Sequence, residues 1–245
     1  MGKGGMSADG SRTFVLVHGA WHGGWCWRRV EELLRAQGHR VHAPTLSGLA
    51  DRSHLAETGI TLSTHVDDVV GLIRWEGLKD VILCGHSYGG MVVSGVAERA
   101  PEGSIGSIVF LDAFLPADGR SLLDYTTGGG REGGPMVDEG ETTGLVTPIP
   151  AEVFGVNEKD RALVDAMCTK QPYRTLTEGL RLTGARERVS KKTYVLATGW
   201  ANAAFPAFAE KVRDDPEWRY YEVACGHDVM LDEPERLAQI LQEAA

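Results

Sequence analysis

One stretch limits what this chain can fold into more than any other: "DVILCGHSYGGMVV", Asp80–Val93. A near-continuous apolar run of strand length is followed by Gly85-His86-Ser87-Tyr88-Gly89, and then by residues that read as a helix. A serine between two glycines at a strand-to-helix junction has a steric explanation. The turn is sharp and strained, and side chains at its flanks would strike the neighbouring strand and helix. Such a turn lifts the serine hydroxyl above the sheet, over the helix N-terminus. A strand apolar on both sides must also lie in the middle of a covered sheet.

The rest of the chain repeats this rhythm. "TFVLVH" (Thr13–His18) reads as a first strand, and "WRRVEELLRAQ" (Trp27–Gln37) as a helix ended by Gly38. A short strand follows over His39–Pro44, then an amphipathic helix over Thr61–Gly77. After the serine come a helix over Met91–Ala100 and a central strand over Ser107–Phe114. Strand signal returns at Thr193–Thr198 and Trp218–Ala224, each followed by a helical pattern, the last with Pro234 near its start. Alternation of this kind predicts an α/β fold with a mostly parallel, doubly wound sheet.

The rhythm breaks after Pro116. Thr126–Gly144 is rich in glycine and reads as irregular, while Asn157–Lys170 and Leu176–Gly184 look helical. The organisation expected is a core over residues 12–115 and 189–245, with a mainly helical cap inserted over 116–188. Residues 1–11 are expected to lie outside the fold; the five before Met6 read as a cloning remnant.

Composition narrows the function. The 245 residues carry a net charge of −9 and no Lys/Arg run, which speaks against nucleic-acid binding. The four cysteines (Cys26, Cys84, Cys168 and Cys225) lack metal or disulfide spacing, so no metal is expected. The N-terminus has no apolar signal region, and no apolar stretch is long enough to span a membrane. These features together predict a reducing, cytoplasmic setting.

A serine hydroxyl needs a base. His227, in "VACGHDVMLDEPE" after the last strand, is the choice by chain order and position. His39 and His42 flank a surface-like strand, His54 and His65 lie at loop or helix-start positions, and His22 sits in a Gly/Trp loop. His86 is buried beside the serine, and His18 closes the first strand and bonds loop backbone. An oxyanion needs donors. "HGAWHGGW" (His18–Trp25) begins where the first strand ends, and its small residues let the backbone N–H of Ala20 approach, opposite the N–H of Tyr88. The acid is less direct. The loop after Thr193–Thr198, its usual place, has no Asp or Glu before Glu210, and Asn202 there is neutral. Asp112, at the tip of the strand after the serine's helix, is the alternative place, because functional groups collect at that sheet edge. Asp228 adjoins His227 too closely for a productive contact, and Asp118 and Asp232 are weaker choices.

Together "FVLVHGAWHGGWCW", "GHSYGGMV" and "CGHDVML" resemble the α/β-hydrolase superfamily over nearly the whole chain. The resemblance is to the branch of plant methylesterases, hydroxynitrile lyases and bacterial small-ester or pyrethroid-type esterases. It implies a Ser–His–acid mechanism, no cofactor and a helical cap, and it is compatible with a homodimer. The lyases of this branch carry a Thr after the loop histidine and a Lys after the catalytic one. Here those positions hold Gly19 and Asp228, and a negative charge at Asp228 would repel cyanide. The expectation is therefore an esterase for small apolar, aryl or alkyl esters, acting through Ser87, His227 and Asp112. Its apolar pocket would draw on Trp21, Trp25, Phe114, Met136, Phe154, Trp200 and Phe205. A lactonase or thioesterase would use the same machinery. A small-molecule receptor on the same scaffold is the alternative of a different class.

Overall fold

In the computed structural model the described residues are 10–57, 59–126, 135–201 and 204–245. The core elements follow in chain order: β1 (Thr13–Val17), α1 (Arg28–Ala36), β2 (Arg40–His42), α2 (Leu62–Trp75), β3 (Val81–His86), α3 (Gly89–Arg99) and β4 (Ile105–Leu111). Between β4 and the next sheet strand lie α4 (Leu123–Thr126), α5 (Pro135–Thr143), β5 (Leu145–Val146), α6 (Glu158–Met167), β6 (Gln171–Pro172) and α7 (Arg174–Thr177). The core resumes with β7 (Lys191–Ala197), α8 (Ala204–Glu210), β8 (Trp218–Val223), α9 (Val229–Asp232) and α10 (Pro234–Glu243).

Six strands form one parallel sheet in the order β2-β1-β3-β4-β7-β8. Alternate residues of each strand feed two apolar layers, as strand geometry requires. Val15, Val17, Leu83, Ile108, Phe110 and Tyr194 face one layer with α2 and α3. Phe14, Leu16, Cys84, Val109, Leu111 and Val195 face the other with α1 and α10. Both faces are covered, which is why these strands read as unbroken apolar runs. β1 leads outward to β2, and β3 returns on the other side of β1, so the strand order reverses between β1 and β3. In open α/β sheets ligands bind at the carboxyl ends of the strands beside such a reversal.

Helix ends follow local chemistry. Thr61 caps α2 in a reciprocal arrangement with Thr64, and Asn157 accepts from the Asp160 N–H at the start of α6. Two expectations for the insert need correction. The glycine-rich stretch over 126–144 is not irregular throughout, because Pro135–Thr143 is helical. Leu176–Gly184 is not a helix, since α7 ends at Thr177. There Gly179 passes directly against the backbone of Gly119, where an added Cβ would lie 2.2 Å from the carbonyl oxygen, and Gly184 has φ +86°. The chain buys close packing at that point and gives up the helix.

The two-residue strands β5 and β6 pair antiparallel. This small ribbon grips the loop after β1. The Trp21 N–H donates to Gln171 Oε1 (2.9 Å), the Trp21 indole donates to the Val146 carbonyl (3.1 Å), and the Thr169 N–H donates to the Trp21 carbonyl (3.0 Å). Among the described residues no helix is long and apolar enough to cross a membrane.

Candidate active site

Five non-glycine residues among those described have positive φ, and three of them stand at the carboxyl edge of the sheet: Trp21 (63°), Ser87 (54°) and Asp112 (41°). Such backbone is costly for an L-residue, and it persists where surrounding structure enforces it. At Ser87 the enforcement is visible. An added Cβ on Gly85 would lie 2.5 Å from the Gly89 carbonyl oxygen, and one on Gly89 2.8 Å from that of Val17. The Ser87 N–H donates to the Leu111 carbonyl (3.2 Å), and the Ser87 carbonyl accepts from Phe114 (3.2 Å). The turn is therefore pinned between β1 and the chain leaving β4.

Asp112 leaves the end of β4 with its carboxylate fully buried. Oδ1 accepts from the Ala197 N–H (3.1 Å). Oδ2 accepts from His227 Nδ1 (2.6 Å) and from the Trp200 indole N–H (2.9 Å). His227 is thus held with Nδ1 as donor, which leaves Nε2 without a proton when the ring is neutral. Its backbone is fixed as well. The His227 N–H donates to the Phe154 carbonyl (2.9 Å), and its carbonyl accepts from His86 Nε2 (3.0 Å). The His86 and His227 rings are 4.4 Å apart, so the residue before Ser87 touches the histidine.

The loop after β1 lies against the serine. A Cβ on Gly19 would sit 3.0 Å from Ser87 Cβ. Neither the Ala20 N–H nor the Tyr88 N–H is taken up by a hydrogen bond among the described residues. Tyr88 is buried, and its hydroxyl donates to His65 Nδ1 (2.8 Å), while His65 Nε2 donates to the Ser47 carbonyl (2.8 Å). Burial pushes His65 down to about 4, so it stays neutral in that chain. His65 lies in the first turn of α2, at the helix start expected of it, and is fully buried. His18 does bond loop backbone: Nδ1 donates to the Gly19 carbonyl (2.8 Å), and Nε2 accepts from the Leu46 N–H (3.1 Å).

His22 and Asp228 form a pair that sequence reasoning missed. His22 Nε2 lies 3.1 Å from Asp228 Oδ2, and His22 Nδ1 lies 2.8 Å from the Ala20 carbonyl. Both partners are acceptors, so the ring carries both protons and a positive charge. Burial opposes that charge, but the Asp228 carboxylate prevails and raises His22 well above the ordinary imidazole range. Burial likewise opposes the Asp228 charge, and His22 holds it below the usual carboxylate range. Asp228 indeed makes no contact with His227 Nδ1, which goes to Asp112. Its charge is neutralised at His22, so it presents no free anion to cyanide. The case against lyase chemistry rests instead on the absent Thr and Lys side chains.

A buried pair broken on one side leaves an uncompensated charge. Asp228→Asn is therefore expected to lower the unfolding free energy by about 3–5 kcal/mol, read by urea denaturation. The raised His22 contributes stability below its unfolded value that is lost as pH rises through its folded value. The lowered Asp228 contributes stability above its unfolded value that is lost as pH falls through its folded value. The pair thus stabilises most between roughly pH 4 and 6.5, and Asp228→Asn should flatten the alkaline fall in stability that His22 causes.

Of the aromatic residues expected at a pocket, three surround His227: Trp200 (ring centroids 4.6 Å apart), Phe205 (5.2 Å, stacked) and Phe154 (5.4 Å). Trp21 packs on Phe154, and Phe114 packs on Phe205. Met136 is half-buried against the same apolar layer. Trp25 is stacked on His22 (ring centroids 5.3 Å apart) and has no ring contact with His227. Asn202 lies outside the described residues. Among the described residues no cluster of His, Cys, Asp or Glu is arranged to hold a metal ion.

Comparison with known proteins gives the family of the chain. A family model described as the alpha/beta hydrolase family matches residues 14–240. A carbendazim hydrolyzing esterase from a Nocardioides species is 44% identical, over 94% of this chain and 98% of its own. Methylesterase 10 of Arabidopsis thaliana is 30% identical, over 95% of this chain and 91% of its own. Among solved structures, an extracellular alpha/beta-hydrolase from a Paenibacillus species superposes with a TM-score of 0.78 at 26% identity. It covers 96% of this chain and 99% of its own, and it is described as sharing structural and functional homology with tobacco salicylic acid binding protein 2.

Proposed function

The chain belongs to the alpha/beta hydrolase family, and from that premise we propose that it hydrolyses carboxylic esters of small apolar, aryl or alkyl substrates through Ser87, His227 and Asp112. The observation that carries this reading is the 2.6 Å bond from His227 Nδ1 to the buried Asp112 carboxylate, together with a serine held at φ 54° in the β3–α3 turn. With Nδ1 donating to Asp112, Nε2 takes the Ser87 proton as Oγ attacks the ester carbonyl. The imidazolium so formed is stabilised by the Asp112 charge. The N–H groups of Ala20 and Tyr88 receive the oxyanion, each contributing on the order of 3 kcal/mol to lowering the barrier. His227 returns its proton to the departing alcohol. Water then repeats the sequence on the acyl-enzyme, releasing the acid and restoring Ser87.

The aromatic rings around His227 suit compact aryl and alkyl groups. Relatives described as a carbendazim hydrolyzing esterase and a methylesterase support such a substrate range. We assign residues 116–188 as the cap. Its contacts with Trp21 and the seat of Phe154 against His227 support that role. Four cysteines without a disulfide support a reducing, cytoplasmic setting. Purified protein is expected to release p-nitrophenol from p-nitrophenyl butyrate well above background, and to prefer short acyl and aryl esters over long-chain ones. Inertness toward the whole panel would remove the esterase reading.

A further inference from the structure

The loop after β7 has no carboxylate before Glu210, yet it sends a tryptophan to the one at the end of β4. Trp200 Nε1 donates to Asp112 Oδ2, the same oxygen that accepts from His227 Nδ1. The Trp200 ring also lies over His227, 4.6 Å between centroids. A Cβ on Gly155 would approach Trp200 Cβ to 2.9 Å, so the backbone of the insert fits closely against this side chain. We propose that Trp200 is a positioning residue, whose indole N–H fixes the rotation of the Asp112 carboxylate and thereby the orientation of His227. This rests on the reading of Asp112 as the triad acid.

The physical need is specific. A carboxylate at the end of a strand can rotate about its Cβ–Cγ bond. The Ala197 N–H holds Oδ1 alone, and that single bond leaves the plane of the group free to turn toward or away from His227. The indole supplies the second fixed point, on the oxygen that matters. It also takes part of the negative charge, because a donor to a carboxylate stabilises the charged form. Other ionisable groups near the Asp112–His227 pair are His86 at the end of β3, Tyr194 on β7, and Cys225 and Asp228 after β8. None of these donates a hydrogen bond to Asp112 among the described residues.

The test is a cycle of Trp200→Phe, Asp112→Asn and the double variant, with kcat and KM for p-nitrophenyl butyrate and thermal midpoints for all four proteins. Phenylalanine keeps a ring over His227 and removes only the donor. Trp200→Phe is expected to lower kcat about tenfold to a hundredfold, with KM and thermal midpoint little changed. In the Asp112→Asn background it should cost nothing further, because residues that act as a unit are not additive. If Asp112→Asn keeps full activity, the triad reading itself fails. If Asp112→Asn is inactive but Trp200→Phe keeps wild-type kcat, or lowers kcat by the same factor in both backgrounds, the positioning role fails. A variant that unfolds is replaced by Trp200→Leu, which also has no donor and is subject to the same two outcomes.

Discussion

Asp112→Asn is expected to lower kcat/KM for p-nitrophenyl butyrate by about 10⁴-fold while leaving the protein folded. The magnitude is that of replacing the acid of a serine triad by its amide. The structure gives the cause. Three donors converge on the Asp112 side chain: the Ala197 N–H, the Trp200 indole N–H and His227 Nδ1. A carboxylate accepts all three. An amide has one oxygen and one NH₂, so one donor must face another. If the NH₂ turns to His227, Nδ1 becomes the acceptor, the proton moves to Nε2, and the ring can no longer take a proton from Ser87. If the NH₂ turns to Ala197, a buried donor is left unsatisfied and the charge that stabilises the imidazolium is gone. Steady-state kinetics with circular dichroism as a control reads the result. A variant with wild-type kcat/KM would mean that another carboxylate orients His227.

That prediction has a useful asymmetry with the buried pair nearby. Asp228 and Asp112 are both fully buried carboxylates bonded to histidines. One bonds His227, the proposed base, and the other bonds a histidine that also bonds the Ala20 carbonyl. Their amide variants should therefore separate, with the loss at Asp112 falling on rate and the loss at Asp228 falling on stability.

Much of this was legible in the sequence, for physical reasons. A parallel sheet covered on both faces demands strands apolar throughout, and Val81–Cys84 and Ile108–Leu111 meet that demand in plain sight. The serine turn was legible because its close backbone approaches exclude every side chain at Gly85 and Gly89. Asp112 was reached by elimination, from the absence of a carboxylate after β7 and the habit of functional groups to gather at the carboxyl edge.

The remainder depended on partners far apart in the chain. Nothing near His22 signals Asp228, which is 206 residues away. Trp200 reads as one more apolar ring, because the reach of an indole N–H to Asp112 exists only after β4 and β7 have paired. The helix at Pro135–Thr143 was hidden by the glycines before it, and the apparent helix at Leu176–Gly184 has apolar spacing but yields to a backbone contact at Gly179. The β5–β6 ribbon is two residues per strand, too short for alternation to register.

The second large effect concerns the serine itself. In the proposed mechanism Ser87, at the β3–α3 turn, forms the acyl-enzyme. Removing its Oγ leaves the oxyanion donors and the histidine with no nucleophile to activate. Only the residual catalysis of a bare oxyanion site would remain, and the loss in kcat should be on the order of 10⁶-fold. Alanine fits the space, and the turn keeps its glycines, so stability should change little. The direct measurement is hydrolysis of p-nitrophenyl butyrate by wild-type protein and Ser87→Ala side by side, at matched concentration and with matched thermal midpoints. The account predicts clear turnover by the wild type and a rate indistinguishable from background for the variant. Turnover by Ser87→Ala at the wild-type rate would contradict it, because the ester would then be cleaved without the serine.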